Sequence, residues 1–586
     1  MKTARSISLV LVLLGISSQA FATPATDGSK LLHVSADNSR YFANAANVPV
    51  YLVGAYEWAA LVDGAAPSVH ADNLAFLQAK GMNSVRWFAG GESPEGDITP
   101  FIPTPLIYAR TGTCCSGDGL GKFDLTLFST GNLTTPNVNA SAFFERARAR
   151  LIDYREKGIY VMVDLWQAWF WESNVREPSV NFWTRHPFKS GNNINGINAD
   201  ANADGEGYEL GLQSNAVWSY QQAMIRQWID ATKDIDNIIW NVCNECYNGS
   251  SNNAWQNDVI DYIHSYEASV GGYLHPVLMS SLQDYDNAPL LASNAEAVAI
   301  GGTGEDSSPS TMDGTKVSLL DADHTKPCDE SNEWPWKAFM RGHAGLYSLY
   351  CNGANNPDTS EVEIIRRLEQ TLSYSKKINL RTVAPNDNAG QCSTQYCLIG
   401  PDDVIGYLPS GGSITITQFA AGNWNVEWFR PSSGTVSVGS SLSSSGLGQS
   451  FTVSNPFGAE SVFYAKRSGA VTPPPPPPPP PPLPDPMAVF TTTWVLNSES
   501  DMSRYVVHAA PGTSCSKTTL SIGGADHPRT SVQLAIPLNV PTQYAVCVTA
   551  IDRVGNESNA SNVKLITLMP NMRPAQPSGV SVLVIP

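Results

Sequence analysis

Basic residues are scarce in this sequence. Lys and Arg number 36 against 53 Asp and Glu, a formal charge of −17, and only 15% of the chain is charged. That balance repels nucleic acid and anionic lipid, because binding either one needs a positive surface to displace counterions. Long apolar runs are missing as well. Beyond residue 22 nothing approaches the roughly 20 consecutive apolar residues of a membrane-spanning helix, so no membrane insertion is expected. Cys243-x-x-Cys246 has no second Cys/His pair at zinc spacing to complete a metal site. Neither a metal nor a cofactor is expected.

What is present begins with an export leader. Lys2 and Arg5 precede an apolar core over residues 7–16, and Ala20-Phe21-Ala22 has the small residues of a cleavage site. The mature chain is therefore expected outside the cytoplasm, extracellular or periplasmic, after loss of residues 1–22. Its ten cysteines can pair there. Cys515 and Cys547 share one C-terminal module, Cys392 and Cys397 flank a short turn, and Cys328 and Cys351 flank one βα segment. Cys114 and Cys115 are adjacent, and each is expected to bond elsewhere or stay free. The connectivity stays open.

A chain of 586 residues exceeds a single core. Ten consecutive prolines over 473–482 form a polyproline II rod about 31 Å long. The rod divides a large body from a tail. Within the body, short apolar runs at 50–55, 84–88, 159–165, 237–242, 277–279, 297–300, 317–320 and 346–350 alternate with helical stretches. Gly81 and Gly158 stop two of those helices. Strands apolar at nearly every position are buried on both faces, and eight of them with helical crossovers predict a closed parallel (β/α)₈ barrel, an α/β fold. The expected division is a barrel over 23–385, a small antiparallel β-sandwich over 386–468, a Pro-rich linker over 469–486 and a second β-sandwich over 487–586.

Barrel chemistry sits at the C-terminal strand ends. There the sequence places Glu57-Trp58, Arg86-Trp87, Asp164 with Trp166 and Gln167, Asn244-Glu245, and Asp321-Ala322-Asp323-His324. Cleaving a glycosidic bond takes two carboxyl groups flanking the scissile oxygen, one protonated and one ionised, in differing environments. Trp faces hold sugar rings without charge, and Trp58 and Trp166 at strand ends are the candidates for stacking. The pair Asn-Glu occurs at 244–245, 332–333 and 556–557, but only the first follows a buried strand. Glu245 is thus the candidate acid/base. Trp336 and Arg341 are assigned to helix packing first.

The Ile-Trp-Asn-Val-Cys-Asn-Glu stretch ending at Glu245, with this architecture, resembles clan A glycoside hydrolases, the cellulase superfamily. Lys122-Phe123-Asp124-Leu125, the segment 316–324 with its Asp-x-Asp-His, and Trp334-x-Trp-Lys-Ala-Phe-x-Arg-Gly342 resemble a group of secreted, cellulase-like bacterial proteins. Members often carry a C-terminal sandwich named as a collagen-binding domain, whose pattern Val426-x-Trp-Phe-x-Pro-x-x-Gly434 fits. The resemblance covers about residues 30–467. It implies that Glu245 is the acid/base, that Asn244 orients the 2-hydroxyl of the sugar, and that Arg86 supports the strand-seven carboxylate. The clan places a Glu there, and this chain has Asp321 and Asp323. Asp323, nearer the rim, is preferred as nucleophile. Its shorter side chain widens the gap, so a retaining and an inverting course both stay open. Gln167 and His324 are further candidate substrate contacts. The tail resembles a fibronectin type III module through Trp494 and the Tyr544–Cys547 segment.

The function expected is hydrolysis of a polysaccharide or oligosaccharide by an exported monomer. Two other classes stand beside it. One is a non-catalytic carbohydrate-binding or adhesion protein, motivated by the missing strand-seven Glu. The other is a polysaccharide lyase, which the shortage of Lys and Arg for neutralising a uronate disfavours.

Overall fold

The computed structural model describes residues 26–57, 61, 68–88, 106–128, 143–171, 182–213, 216–246, 249–280, 287–301, 307–320, 332–347, 359–469, 487–494, 502–519, 521–526, 531–537, 542–552 and 556–568. Two compact units emerge, Met1–Pro473 and Pro474–Pro586.

The first unit is built around a closed parallel barrel. Its strands are β1 (Val53–Glu57), β2 (Ser84–Phe88), β3 (Tyr160–Gln167), β4 (Ile238–Asn244), β5 (Val277–Ser280), β6 (Ala297–Ile300), β7 (Val317–Leu320) and β8 (His343–Tyr347), each hydrogen-bonded to the next and β8 to β1. Every residue of β3 and β4 is buried, the pattern of strands covered on both faces. Helices α1 (Ser68–Ala79), α2 (Phe143–Glu156), α3 (Trp218–Thr232), α4 (Ser250–Val270), α5 (Ala288–Leu291), α6 (Trp334–Met340) and α7 (Thr359–Ser375) lie in the connections and after β8.

Local chemistry fixes the helix ends and strand starts. Gly81 and Gly158 take φ of 65° and 76° after α1 and α2. The N–H groups of Met82 and Ile159 then reach back to the carbonyls of Leu77 and Tyr154, both at 3.0 Å, closing each helix as a Schellman motif. At Gly54 a Cβ would sit 2.1 Å from the Ser84 carbonyl oxygen, so β1 can approach β2 only with glycine there. Buried polar side chains tie strands to helices. Asn237 donates to the carbonyls of Leu151 and Ile159, and Glu267 of α4 accepts from the Trp240 indole at 2.8 Å and from His275.

Several strands differ in extent from the apolar runs. Pro49–Val50 belongs to a small antiparallel sheet with His33–Val34 and Phe42–Ala43, so β1 starts at Val53. β4 runs past its last aliphatic residue to Asn244, and β8 begins at His343 instead of Leu346. In both, a buried polar side chain with satisfied bonds continues a strand that hydropathy alone would end.

Antiparallel strands follow the barrel in the same unit. One sheet runs Ala384–Asn386, Cys397–Ile399, Asp403–Leu408, Ser461–Arg467, Gly422–Arg430, Thr435–Val438, with Leu442–Ser444 also on Gly422–Arg430, and Ser413–Ile416 pairs with Phe451–Ser454. One face of the larger sheet packs on α6 and α7. Trp336 lies within 6.2 Å of the Tyr374, Tyr407 and Phe429 rings, as expected of a packing residue. Tyr407 donates to Glu460, which also pairs with Arg367 of α7. The other face has its own core of Trp424, Trp428 and Phe463.

In the second unit, Met487–Thr493 pairs with Ser531–Pro537, and a separate sheet runs Ser521–Asp526, Met502–Pro511, Thr542–Asp552, Lys564–Leu568. All described cysteines are bridged, Cys243–Cys246, Cys392–Cys397, Cys515–Cys547 and Cys114–Cys115. The last pair corrects the expectation that those neighbours bond apart. Their sulfurs join where the hairpin of Tyr108–Cys114 and Gly121–Phe128 turns. Among the described residues no helix is long and apolar enough to cross a membrane.

Candidate active site

The strand ends β1 to β5 share one buried polar network, and Arg86 of β2 is its centre. The Nε of Arg86 donates to both carboxylate oxygens of Asp164 at 3.0 Å, Nη1 donates to the Tyr56 hydroxyl at 2.8 Å, and Nη2 donates to the Asn244 amide oxygen at 2.9 Å. Nη2 also reaches Ser280 Oγ at 3.4 Å. Asn241 donates to Asp164 Oδ1 at 2.5 Å, and Ser280 donates to the Cys243 carbonyl at 2.5 Å. A side chain of β2 that touches β1, β3, β4 and β5 must cross the barrel interior.

Both Arg86 and Asp164 are fully buried. Burying two charges costs several kcal/mol per ion unless each is paired and its remaining donors and acceptors are met. Here the guanidinium faces a carboxylate, a hydroxyl and an amide oxygen, and the pair orients its neighbours. Asn244 is the residue most constrained. Its amide oxygen accepts from Arg86 while its nitrogen donates to Gln167 Oε1 at 2.5 Å, so the two ends of the amide are distinguished and the group cannot flip.

Glu245 comes directly after this fixed amide. It is half-buried, and its backbone takes φ of 55°, the left-handed region that few non-glycine residues enter. Such conformations persist where surrounding structure enforces them, and they cluster at functional sites. Two constraints flank Glu245 here, the hydrogen-bonded Asn244 and the Cys243–Cys246 bridge whose cysteines are both buried.

Of the residues picked from sequence, Arg86, Asn244, Gln167 and Glu245 are brought together at one end of the barrel. Trp166 is a correction. It is 1% exposed, with its ring 5.3 Å from Trp255 of α4, so it packs behind the strand and presents no face to a sugar. Trp58, Asp321, Asp323 and His324 lie outside the described residues. Sequence reasoning assigned no role to Tyr56, Asp164, Asn241 or Ser280. The one available signal was Asp164, the single acid inside an otherwise apolar run.

Trp166 fails because strict alternation fails. Asp164 and Gln167 both meet the interior network while Trp166 turns to α4, and Asn241 and Asn244 likewise share the interior. The pairing register is unchanged across the switch, with Asp164 opposite Asn241, Trp166 opposite Cys243 and Gln167 opposite Asn244. Both strands therefore rotate together and keep their ladder.

No protein-family profile matches the sequence, and no curated protein matches it. Solved structures of similar shape include a glycoside hydrolase family 5 protein from Bacteroides vulgatus ATCC 8482, 12% identical, covering 75% of this chain and 94% of that one with a TM-score of 0.49. A glycoside hydrolase family 5 mannosidase from Rhizomucor miehei is 13% identical over 59% of this chain and 98% of its own, with a TM-score of 0.36. The endo-β-1,4-mannanase from Thermotoga petrophila is 9% identical over 88% and 97%, at 0.37. These values describe likeness of chain path alone.

Proposed function

We propose that this chain is an exported glycoside hydrolase in which Glu245 is the general acid/base. The observation that carries the reading is the position of Glu245. It follows a buried parallel strand at the C-terminal end of a closed barrel, where barrel enzymes hold their catalytic groups. The preceding amide is locked by Arg86 and Gln167.

In this scheme Glu245 protonates the glycosidic oxygen as its bond to the anomeric carbon breaks. In a retaining course the second carboxylate bonds that carbon, and the ionised Glu245 then deprotonates the water that displaces it. In an inverting course the second carboxylate deprotonates the water that attacks directly, and solvent reprotonates Glu245. Asn244, its orientation set at both ends, aligns the sugar. Asp323, or Asp321, supplies the second carboxylate from the end of β7. Arg86 acts through Asn244 as a positioning residue. The substrate class is a polysaccharide or oligosaccharide. Export is part of the reading, supported by the leader at 1–22 and by bridged cysteines, which persist in oxidising compartments. The second unit is read as a fibronectin type III-like spacer. Its support is the sheet of four antiparallel strands and the Trp494–Tyr505 ring contact at 5.1 Å.

The test is Glu245→Gln, which keeps shape and removes the proton. Screened on a polysaccharide panel by reducing-end release, the variant should lose about 10³-fold in kcat, within the range for general acid–base groups, with an unchanged circular dichroism spectrum. Hydrolysis within a few fold of the parent would dismiss Glu245. Glycan binding without any reducing ends from the parent would favour the adhesion reading.

A further inference from the structure

The connection between β3 and α3 carries a second chemistry. Asp200-Ala-Asn202-Ala-Asp204-Gly205 is followed by Glu206 and Glu209, four acids in ten residues. Asp, Asn and Asp at alternate positions with glycine next is the opening of an oxygen-rich calcium loop, in which the glycine makes the sharp turn. Gly205 has φ of 89°. The twelfth position of such a loop, normally Glu, is Gly211 here, so the closing acid would be Glu209.

An acidic run by itself is usually a solvated surface. Asp200 is different, since it is only 9% exposed and its Oδ1 is buried without a hydrogen-bond partner. Its other oxygen accepts from the Gly205 N–H at 3.2 Å. Glu209 Oε2 is likewise buried without a partner. Each carboxylate thus keeps one buried oxygen without a donor, a costly arrangement unless something positive meets it.

We propose that the loop from Asp200 to Glu209 binds a divalent cation of the calcium class. Asp200, Asp204 and Glu209 supply carboxylate oxygens, Asn202 an amide oxygen, and main-chain carbonyls and water the remainder. No three acidic, His or Cys side chains among the described residues already converge as a metal site. Calcium does not require that, because its six to eight ligands are oxygens of any kind held in flexible geometry. Asp204, exposed and bonded to Asn202 and to the Glu206 N–H, would exchange those bonds for the ion. The loop is anchored around this site. The Gly207 N–H donates to the Trp171 carbonyl at 2.8 Å, and a Cβ on Gly207 would meet the Trp183 ring at 2.3 Å. The Gly211 carbonyl accepts from Asn252 in the first turn of α4 at 2.7 Å. Binding would brace the connection beside the helix that follows Glu245.

The test uses the full chain stripped with EGTA. Because Trp183 lies against the loop, TbCl₃ should give tryptophan-sensitised emission that saturates as a single site. CaCl₂ should displace it with a Kd between about 10⁻⁷ and 10⁻³ M, and MgCl₂ should do so at least tenfold less effectively. The double variant Asp200→Asn/Asp204→Asn should bind at least 100-fold more weakly, whereas Asp230→Asn on α3 should leave emission unchanged. Calcium should raise the Tm of the parent and not that of the double variant. In EGTA the double variant should melt no lower than the parent, since it relieves repulsion. Absence of saturable emission, undiminished binding by the double variant, or a lower melting point of that variant in EGTA would each overturn the assignment. The last would make the acids structural acceptors.

Discussion

Removing Asp164 tests whether the Arg86 network is a unit or a set of separate contacts. Asp164 takes Arg86 Nε on both oxygens at 3.0 Å and Asn241 Nδ2 at 2.5 Å, and neither charged side chain is exposed. Asp164→Leu strands a buried guanidinium, which costs about 3–5 kcal/mol when one partner of a buried pair is lost. Arg86→Met strands the carboxylate at a similar cost. In the double variant both charges go, and the residual penalty is that of neutral groups left short of a bond, about 1–3 kcal/mol each for Tyr56, Asn241 and Asn244. The single variants already leave the same neutral groups short, so the double variant should lose at least about 3 kcal/mol less than the two single losses added together. That implies a coupling energy of about 3 kcal/mol or more, far above the few tenths expected of independent sites. The assay is guanidinium unfolding of the full chain followed by tryptophan fluorescence, comparing midpoints at constant slope. A double-variant loss equal to the sum of the two single losses, or single costs under about 1 kcal/mol, would refute the reasoning.

Acid should weaken the fold through two buried histidines. His343 sits with Nδ1 2.8 Å from Ser318 Oγ and Nε2 2.7 Å from the Ser310 carbonyl, both nitrogens satisfied by a neutral ring, and burial pushes its pKa down to about 4. Burial likewise takes His186 to about 3. The unfolded chain binds these protons first, so the contribution is complete above pH 6.5 and falls by about 1.4 kcal/mol per unit and per histidine as pH drops toward 4. Denaturation midpoints between pH 7 and 4 should be shallower for His343→Gln by one histidine's share, and an identical slope would reject the account. Cys243→Ser/Cys246→Ser opens the bridge around Asn244–Glu245. A loop that short contributes about 2 kcal/mol by chain entropy, so stability should fall modestly while kcat falls more than tenfold. Unchanged kcat would show that Glu245 is held without the bridge. Trp166→Phe should lower the Tm and leave KM alone, because the ring packs on Trp255; a raised KM would restore it to the substrate.

How far the site was legible depended on which physical signal carried each residue. The barrel was readable because strands buried on both faces write themselves as apolar runs. Ser84–Phe88, Ala297–Ile300 and Val317–Leu320 coincide with the expected segments. Strand ends were less readable, since Gln167, Asn244 and His343 are buried by hydrogen bonds and hydropathy scores them as loop. Glu245 was picked by its place after a strand, and Arg86 by its place within one. The role of Asp164 was invisible for a different reason, because what it does depends on a partner 78 residues away in sequence. The loop at 200–209 stands out in neither hydropathy nor periodicity, although its spacing can be read, because both give no weight to oxygen count.

The failure at Trp166 bears on the residues still to be assigned. Alternation places residues 164 and 166 on one face, yet they lie on opposite faces, and residues 241 and 244 share a face that alternation denies them. Both switches occur within the last turn of the strand before the rim, where side chains leave the packed interior and rotate toward the polar network. Asp321 and Asp323 come in sequence just after β7, which ends at Leu320. Parity counted from Val317 therefore cannot choose between them. The choice rests on function: the Asp→Asn variant that matches the loss in Glu245→Gln identifies the second carboxyl, and the other should retain activity within about tenfold, the scale of a contact worth about 1.4 kcal/mol in the transition state. Equal losses in both would mean that the second carboxyl is shared or lies elsewhere.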